Sequence, residues 1–141
     1  TFEKEYIAIC EGKFEREEGV INAPICRKEN SIIERCVNEN GDTAITEYNV
    51  LKYDETNNYS IIKCNLKTGR THQIRVHLSY IRHPILGDTL YGNLSNLIDR
   101  QALHSYRVKF IHPISREEVT FIAELPSDMQ FFAIFSKRGR A

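Results

Sequence analysis

The chain has 141 residues, 41% hydrophobic and 27% charged, proportions that suit a folded domain with a core and exclude disorder over most of its length. No apolar run approaches the roughly 20 residues that span a bilayer, and Thr1-Phe2-Glu3-Lys4-Glu5 lacks the basic and apolar start of a secretory signal, so the chain reads as cytoplasmic. Formal net charge is zero but uneven: residues 1–62 hold 7 Lys and Arg against 13 Asp and Glu, residues 63–116 hold 9 against 2, and a polyanion would dock on the second block.

Tyr6-Ile7-Ala8-Ile9-Cys10 is a short apolar strand closed by Gly12. A charged turn from Lys13 to Gly19 leads to Val20-Ile21 ahead of Pro24. Ile32-Ile33 to Val37 reads as a second strand, and Asn38-Glu39-Asn40-Gly41-Asp42 carries enough turn formers to close a hairpin. Ala44, Thr46, Tyr48 and Val50 alternate as in a half-buried strand. Asn57-Asn58 turns the chain, and Tyr59 to Leu66 returns as another strand.

The period then becomes helical. Thr68-Gly69 is a turn, Thr71 is a suitable N-cap, and Ile74, Leu78 and Ile81 share one face until Pro84 ends the helix. Residues 84–101, with Gly87 and Gly92, read as irregular. Leu103 to Ile111 and Glu118 to Ala123 pair across His112-Pro113-Ile114-Ser115-Arg116. Ser127 is placed to cap a final helix holding Met129, Phe131, Phe132, Ile134 and Phe135, an apolar stripe suited to core packing before base stacking. The expected architecture is α+β, a mostly antiparallel sheet with flanking helices, over residues 1–136, with a disordered basic tail at 137–141.

Cys10, Cys26, Cys36 and Cys64 are scattered and form no C-x-x-C pair, which argues against a zinc site or a disulfide scaffold. Reduced, mostly buried thiols are expected, with Cys10 and Cys64 inside apolar runs.

The most unusual stretch is Leu66-Lys67-Thr68-Gly69-Arg70-Thr71-His72-Gln73-Ile74-Arg75-Val76-His77-Leu78. A strand-to-helix turn presents free N–H groups and a positive dipole end, and Arg70 and Arg75 add fixed charge suited to phosphate or carboxylate. By composition alone this is equally an exposed, basic helix start. Its order, followed by His83-Pro84-Ile85-Leu86-Gly87-Asp88 and Tyr91-Gly92, resembles the signature of RluA/RluD-type pseudouridine synthases. The segment Lys4-Glu5-Tyr6-Ile7-Ala8-Ile9-Cys10-Glu11-Gly12 resembles that family's K-x-Y strand, and Gln101-Ala102-Leu103-His104-Ser105-Tyr106 and Leu125-Pro126-Ser127-Asp128-Met129 keep its order. The resemblance spans residues 4–129.

This resemblance implies the C-terminal portion of a pseudouridine synthase catalytic domain, which isomerises uridine in structured RNA, ribosomal before transfer RNA, with no metal or cofactor. A flipped nucleotide has to enter a pocket, because a duplex hides the reacting atoms. Arg75 matches the pocket arginine that pairs with the catalytic aspartate, Tyr6 the pocket tyrosine, and Leu103 an apolar residue against the base. Arg70, His72 and Gln73 either contact substrate phosphates or brace the loop, as does His77, while His83 and Asp88 brace their turn.

The family's H-R-L-D-x-x-T-S-G segment, which carries the nucleophile, does not occur in these 141 residues, and the chain begins with Thr. The expectations are therefore a fragment inactive alone, with a noncatalytic RNA-binding module as the alternative. Arg75 should then turn to solvent, to an anion or to a substitute carboxylate. A sheet edge left open by the missing strands would invite pairing with a neighbouring chain in a crystal.

Overall fold

Tyr6-Ile7-Ala8-Ile9-Cys10 is apolar on both faces of a strand, so only a central position, covered on both sides, can accommodate it. A computed structural model, which describes residues 2–130, places it there. The strands are β1 (Phe2–Glu11), β2 (Glu18–Asn22), β3 (Ile25–Arg27), β4 (Arg35–Val37), β5 (Ile45–Asp54), β6 (Tyr59–Leu66), β7 (Leu103–Ile111) and β8 (Glu118–Ile122). Six of them form one antiparallel sheet in the order β2-β5-β6-β1-β7-β8, and β3 and β4 form a second, two-stranded sheet. Ile7, Ala8, Ile9 and Cys10 are all buried.

One helix, α1 (Gln73–Tyr80), lies among the described residues outside the last turn at 127–130. It contributes Ile74 and Leu78 to the cluster formed by β1 and β6. His72, not Thr71, occupies its N-cap, in the left-handed conformation (φ 55°, ψ 22°) and with no side-chain cap. The reason is local: Gln73 takes over the turn, accepting at Oε1 from the Arg70 N–H (3.0 Å) and the Thr68 hydroxyl (2.7 Å), which leaves Thr71 exposed. The helix ends before Pro84, where Arg82 turns left-handed (φ 70°) and the His83 N–H reaches back to the Leu78 carbonyl at 2.8 Å.

Two expectations around residues 32–42 are corrected. Ile32 and Ile33 lie exposed in the β3–β4 connection, and the strand starts at Arg35. The Asn38–Asp42 turn does not join two paired strands, because β4 and β5 belong to different sheets. Ile25 and Asp42 exchange backbone hydrogen bonds at 2.9 and 2.8 Å, drawing the chain back along β3. Gly41 permits this approach, since a Cβ there would stand 2.5 Å from the Ile25 carbonyl carbon.

Residues 84–101 contain no strand or helix, but backbone hydrogen bonds pin both ends of the segment. Glu11 N–H donates to Pro84 O (2.9 Å) and Leu86 N–H to Ile9 O (2.8 Å), while Ile9 N–H donates to Ala102 O (3.0 Å). The segment thus continues the β7 side of β1. Of the final helix expected from Ser127, residues 127–130 are helical and Met129 is buried. Phe131, Phe132, Ile134, Phe135 and the 137–141 tail lie outside the described residues. The edges of the six-stranded sheet are β2 and β8, and no helix is long and apolar enough to cross a membrane among the described residues.

Candidate functional site

The turn from β6 into α1 is built by a buried polar network. Gln73 is 2% exposed, and its Nε2 donates to Ile45 O and Thr46 Oγ1, both at 2.9 Å. With Oε1 already occupied, every polar atom of its side chain is used internally. Gln73 therefore braces the turn, one of the two roles its place in the motif suggested. His77, also fully buried, does the same: Nε2–H donates to Ala23 O (2.8 Å), which leaves Nδ1 to accept from the Thr46 hydroxyl (2.8 Å). Burial lowers its pKa below the usual histidine value, against a smaller opposing effect of the Ala23 carbonyl.

Arg75 points from the same helix toward the loop after it. Its Nε donates to Asp88 Oδ2 (2.8 Å) and its Nη2 to Asp88 Oδ1 (2.9 Å), a bidentate pair in which the arginine side chain is 15% exposed and the carboxylate not at all. Of solvent, an anion and a carboxylate, this arginine meets a carboxylate, that of Asp88 from the same motif. Asp88 also accepts from the Leu90 and Tyr91 N–H groups, each at 3.2 Å, bracing its turn as expected. Burial alone pushes the Asp88 carboxyl up; the Arg75 hydrogen bonds and those two N–H groups outweigh it and hold it below the usual range. The same pairing raises Arg75.

Tyr91 completes the group and had no assigned role in the sequence, although the Tyr91-Gly92 pair belongs to the motif. The Arg75 guanidinium lies 5.0 Å from its ring centroid, within cation–π range. Its oxygen accepts from the Arg35 N–H (2.9 Å), so its own proton is available to His72 Nδ1 at 2.7 Å. His72 meets the same ring edge-on. Desolvation first, then the charges of Arg75 and Arg35, lower the His72 pKa and favour the neutral acceptor. Five residues from three separate stretches of sequence thus form one continuous cluster: Arg35, His72, Arg75, Asp88 and Tyr91.

Arg70 remains outward. Its Nε donates to Thr43 O (2.8 Å) and it is exposed in the turn before α1, while Lys67, exposed just after β6, pairs with Glu47 at 3.6 Å. Glu15 and Glu17 are exposed in the turn before β2 and Glu18 is exposed at its start, and the charges acting on Arg75 are those of Asp88 and Tyr91.

Tyr6 and Leu103 are brought together elsewhere on the sheet. Tyr6 pairs with Ser105, and Leu103 with Ala8 two residues along, so both side chains lie on one face in diagonal positions. Between Glu5 and Tyr6 the β1–β7 register shifts, a bulge that skips Tyr106. Such bulges redirect side chains and are frequent beside active sites. Arg107 pairs with Glu5 on the far side of this bulge. Tyr6 and Leu103 are both half-buried and pack against the main core cluster.

Comparison with known proteins decides the family. Residues 1–80 match the family described as RNA pseudouridylate synthase, more than half of the chain. The chain belongs to this family.

Among its curated relatives is the uncharacterized RNA pseudouridine synthase YjbO of Bacillus subtilis, 46% identical over 126 residues that cover 89% of this chain and 44% of the relative. The ribosomal large subunit pseudouridine synthase D of Blochmanniella floridana is 41% identical over 151 residues, covering 95% of this chain and 46% of the relative. The chain therefore spans just under half the length of these relatives. The solved structure of human RNA pseudouridylate synthase domain containing 1 superposes with a TM-score of 0.76 at 23% identity, over 96% of this chain and 66% of that one, which establishes the shared fold. The α+β, mainly antiparallel architecture is thus that of the family.

Proposed function

We propose that the protein carrying this chain isomerises uridine to pseudouridine in structured RNA, in the cytoplasm, with ribosomal RNA as its target before transfer RNA. The observation that carries the reading is the family-matching turn from β6 into α1. Its inward residues Gln73 and His77 are consumed in rigid internal hydrogen bonds, while Arg70 stays exposed in the turn before the helix N-terminus. Such a frame holds positive charge toward RNA phosphates without needing to reorganise when they arrive. Two relatives compared above are named as pseudouridine synthases, that from Bacillus subtilis of RNA and that from Blochmanniella floridana of the ribosomal large subunit, which supports the choice of RNA.

In this reading Tyr6 and Leu103 line the pocket for the flipped base, Tyr6 through its ring and hydroxyl and Leu103 through apolar contact. Arg75 orients a carboxylate supplied by the rest of the protein, and His72 and Arg70 flank the RNA backbone. The ion pair with Asp88 holds the guanidinium in one orientation, a positioning role for Asp88 that its burial supports.

The test is a pseudouridine map of ribosomal and transfer RNA from a strain with the gene deleted, restored with wild-type or Arg75→Ala protein. Loss of one or more pseudouridines on deletion, with restoration by the wild type alone, is the expected result. An unchanged map would sink the enzymatic reading. If salt-sensitive RNA binding persisted beside an unchanged map, the noncatalytic RNA-binding module would take its place.

A further inference from the structure

The four cysteines, scattered in the sequence, fall into two different environments. Cys10 and Cys64 are fully buried in the main core, but Cys26 and Cys36 are half-buried and directly opposite one another in β3 and β4. Their Sγ atoms stand 3.7 Å apart. We propose that Cys26 and Cys36 are a thiol modification site, a dithiol that low-molecular-weight disulfides such as glutathione disulfide close into a reversible intramolecular bond.

The strand ladder sets the geometry. Lys28 N–H donates to Glu34 O (2.8 Å) and Asn38 N–H to Pro24 O (3.0 Å), two residues to either side of the cysteines. Alternation along an antiparallel pair makes Cys26–Cys36 a hydrogen-bonded pair, with Cα atoms about 5.5 Å apart. That separation lies within the span of about 4.4–6.8 Å that a disulfide bridges. The Cβ atoms of a hydrogen-bonded pair stand about 5.5 Å apart, against about 3.5–4.5 Å in a disulfide, so the two strands draw slightly together as the sulfurs close from 3.7 Å.

Access follows from the alternation too. Ile25 and Val37 turn into the smaller core cluster, so the neighbouring cysteines face the other side of the pair. The Lys28–Glu34 ion pair lies on that same side, with Lys28 57% exposed. Burial and the hydrogen bond shared with Cys26 push the Cys36 thiol up, and the Lys28 ammonium opposes them. Cys36 thus rests as a thiol and reacts through its minor thiolate form.

Closure proceeds by two exchanges. One cysteine thiolate attacks a sulfur of glutathione disulfide, forming a mixed disulfide and releasing one glutathione thiolate. The second cysteine loses its proton and attacks the protein sulfur of that mixed disulfide, expelling the second glutathione. Two electrons pass from the dithiol to the reagent, and two protons are released to solvent or to the departing thiolates. The bond clips a β-turn region next to the Arg75 cluster, since the Arg35 N–H beside Cys36 holds the Tyr91 hydroxyl.

The folded protein is incubated with glutathione disulfide, quenched with acid, alkylated and mapped by mass spectrometry without reduction. The expected product is a single Cys26–Cys36 link, lighter by two hydrogens, removed by dithiothreitol and accompanied by a higher melting temperature. Cys26→Ser and Cys36→Ser should each leave the other cysteine as a stable mixed disulfide with glutathione. If either variant does not fold by circular dichroism, the wild-type map decides alone. Retention of glutathione on both cysteines without a link, a link through Cys10 or Cys64, or full alkylation of both thiols after prolonged oxidation would each overturn the proposal.

Discussion

Asp88 receives both arms of the Arg75 guanidinium, and its carboxylate is fully buried while the arginine is 15% exposed. Removing one member strands the other, so Arg75→Ala should destabilise the fold by about 3 kcal/mol or more, seen as a lower urea midpoint. Activity loss in Arg75→Ala therefore has to be separated from loss of fold, whereas Arg75→Lys keeps the charge and loses the fork. Because the folded-state pKa of Asp88 is depressed, its contribution is present above the unfolded value of about 4 and fades as pH falls below it. A denaturation series across that range should be flatter for Asp88→Asn than for the wild type. Equal slopes would show that the carboxylate is not ionised in the fold.

His77 makes a second, separate prediction about pH. Its folded-state pKa is lowered by burial, so the folded chain stays neutral there while the unfolded chain takes up a proton below about 6.5. The stability His77 provides is thus complete above that value and lost as pH falls through the window beneath it, with His72 adding in the same direction. His77→Leu should remove part of this slope and cost about 2 kcal/mol at neutral pH, by stranding Thr46 and the Ala23 carbonyl. Thermal melts at several pH values measure both effects.

Gly87 precedes Asp88 at φ +75°, and a Cβ there would stand 2.1 Å from the Arg100 carbonyl oxygen. Backbone cannot yield as a flexible side chain does. Gly87→Ala should therefore displace the loop that carries Asp88 and Tyr91, lowering stability by about 3 kcal/mol or more. A near-normal melting temperature for this variant would show that the two segments are not so tightly packed.

Arg70 is exposed and makes one internal hydrogen bond, to Thr43 O. If it meets RNA phosphate, Arg70→Ala should weaken binding severalfold and reduce the salt dependence by about one unit of slope, without changing sequence preference. Filter binding across a salt series reads the slope. An unchanged slope removes Arg70 from the interface.

These 141 residues, incubated alone with unmodified ribosomal or transfer RNA, should form no pseudouridine, because no H-R-L-D segment is among them to provide the nucleophile. Chemical detection of pseudouridine checks this, and any turnover would assign the nucleophile's work to a residue of this chain.

Much of the fold was readable in one dimension. The doubly apolar run Tyr6–Cys10, the turn formers at Asn57-Asn58 and the helical spacing of Ile74 and Leu78 are local signals, and β1, the β5–β6 hairpin and α1 formed where they pointed. The long motif from Leu66 to Leu78 likewise revealed the family, since its order of residue types survives without coordinates. The misplaced elements were those governed by distant partners. Ile32-Ile33 looks like a strand, but Asp42 draws the chain back to Ile25, and the strand has to begin later.

Which side chains of the motif face inward is a tertiary matter. Gln73 and His72 are adjacent and equally polar in sequence, yet one is sealed between Thr46 and Ile45 while the other meets Tyr91, 19 residues on. Cys26 and Cys36 become neighbours only when β3 and β4 pair. Sequence patterns report the local period and the identity of a motif. The partner of Arg75 depended on where the 84–101 segment is pinned to β1, because a charge seeks the nearest satisfying group in space, and proximity along the chain does not determine it.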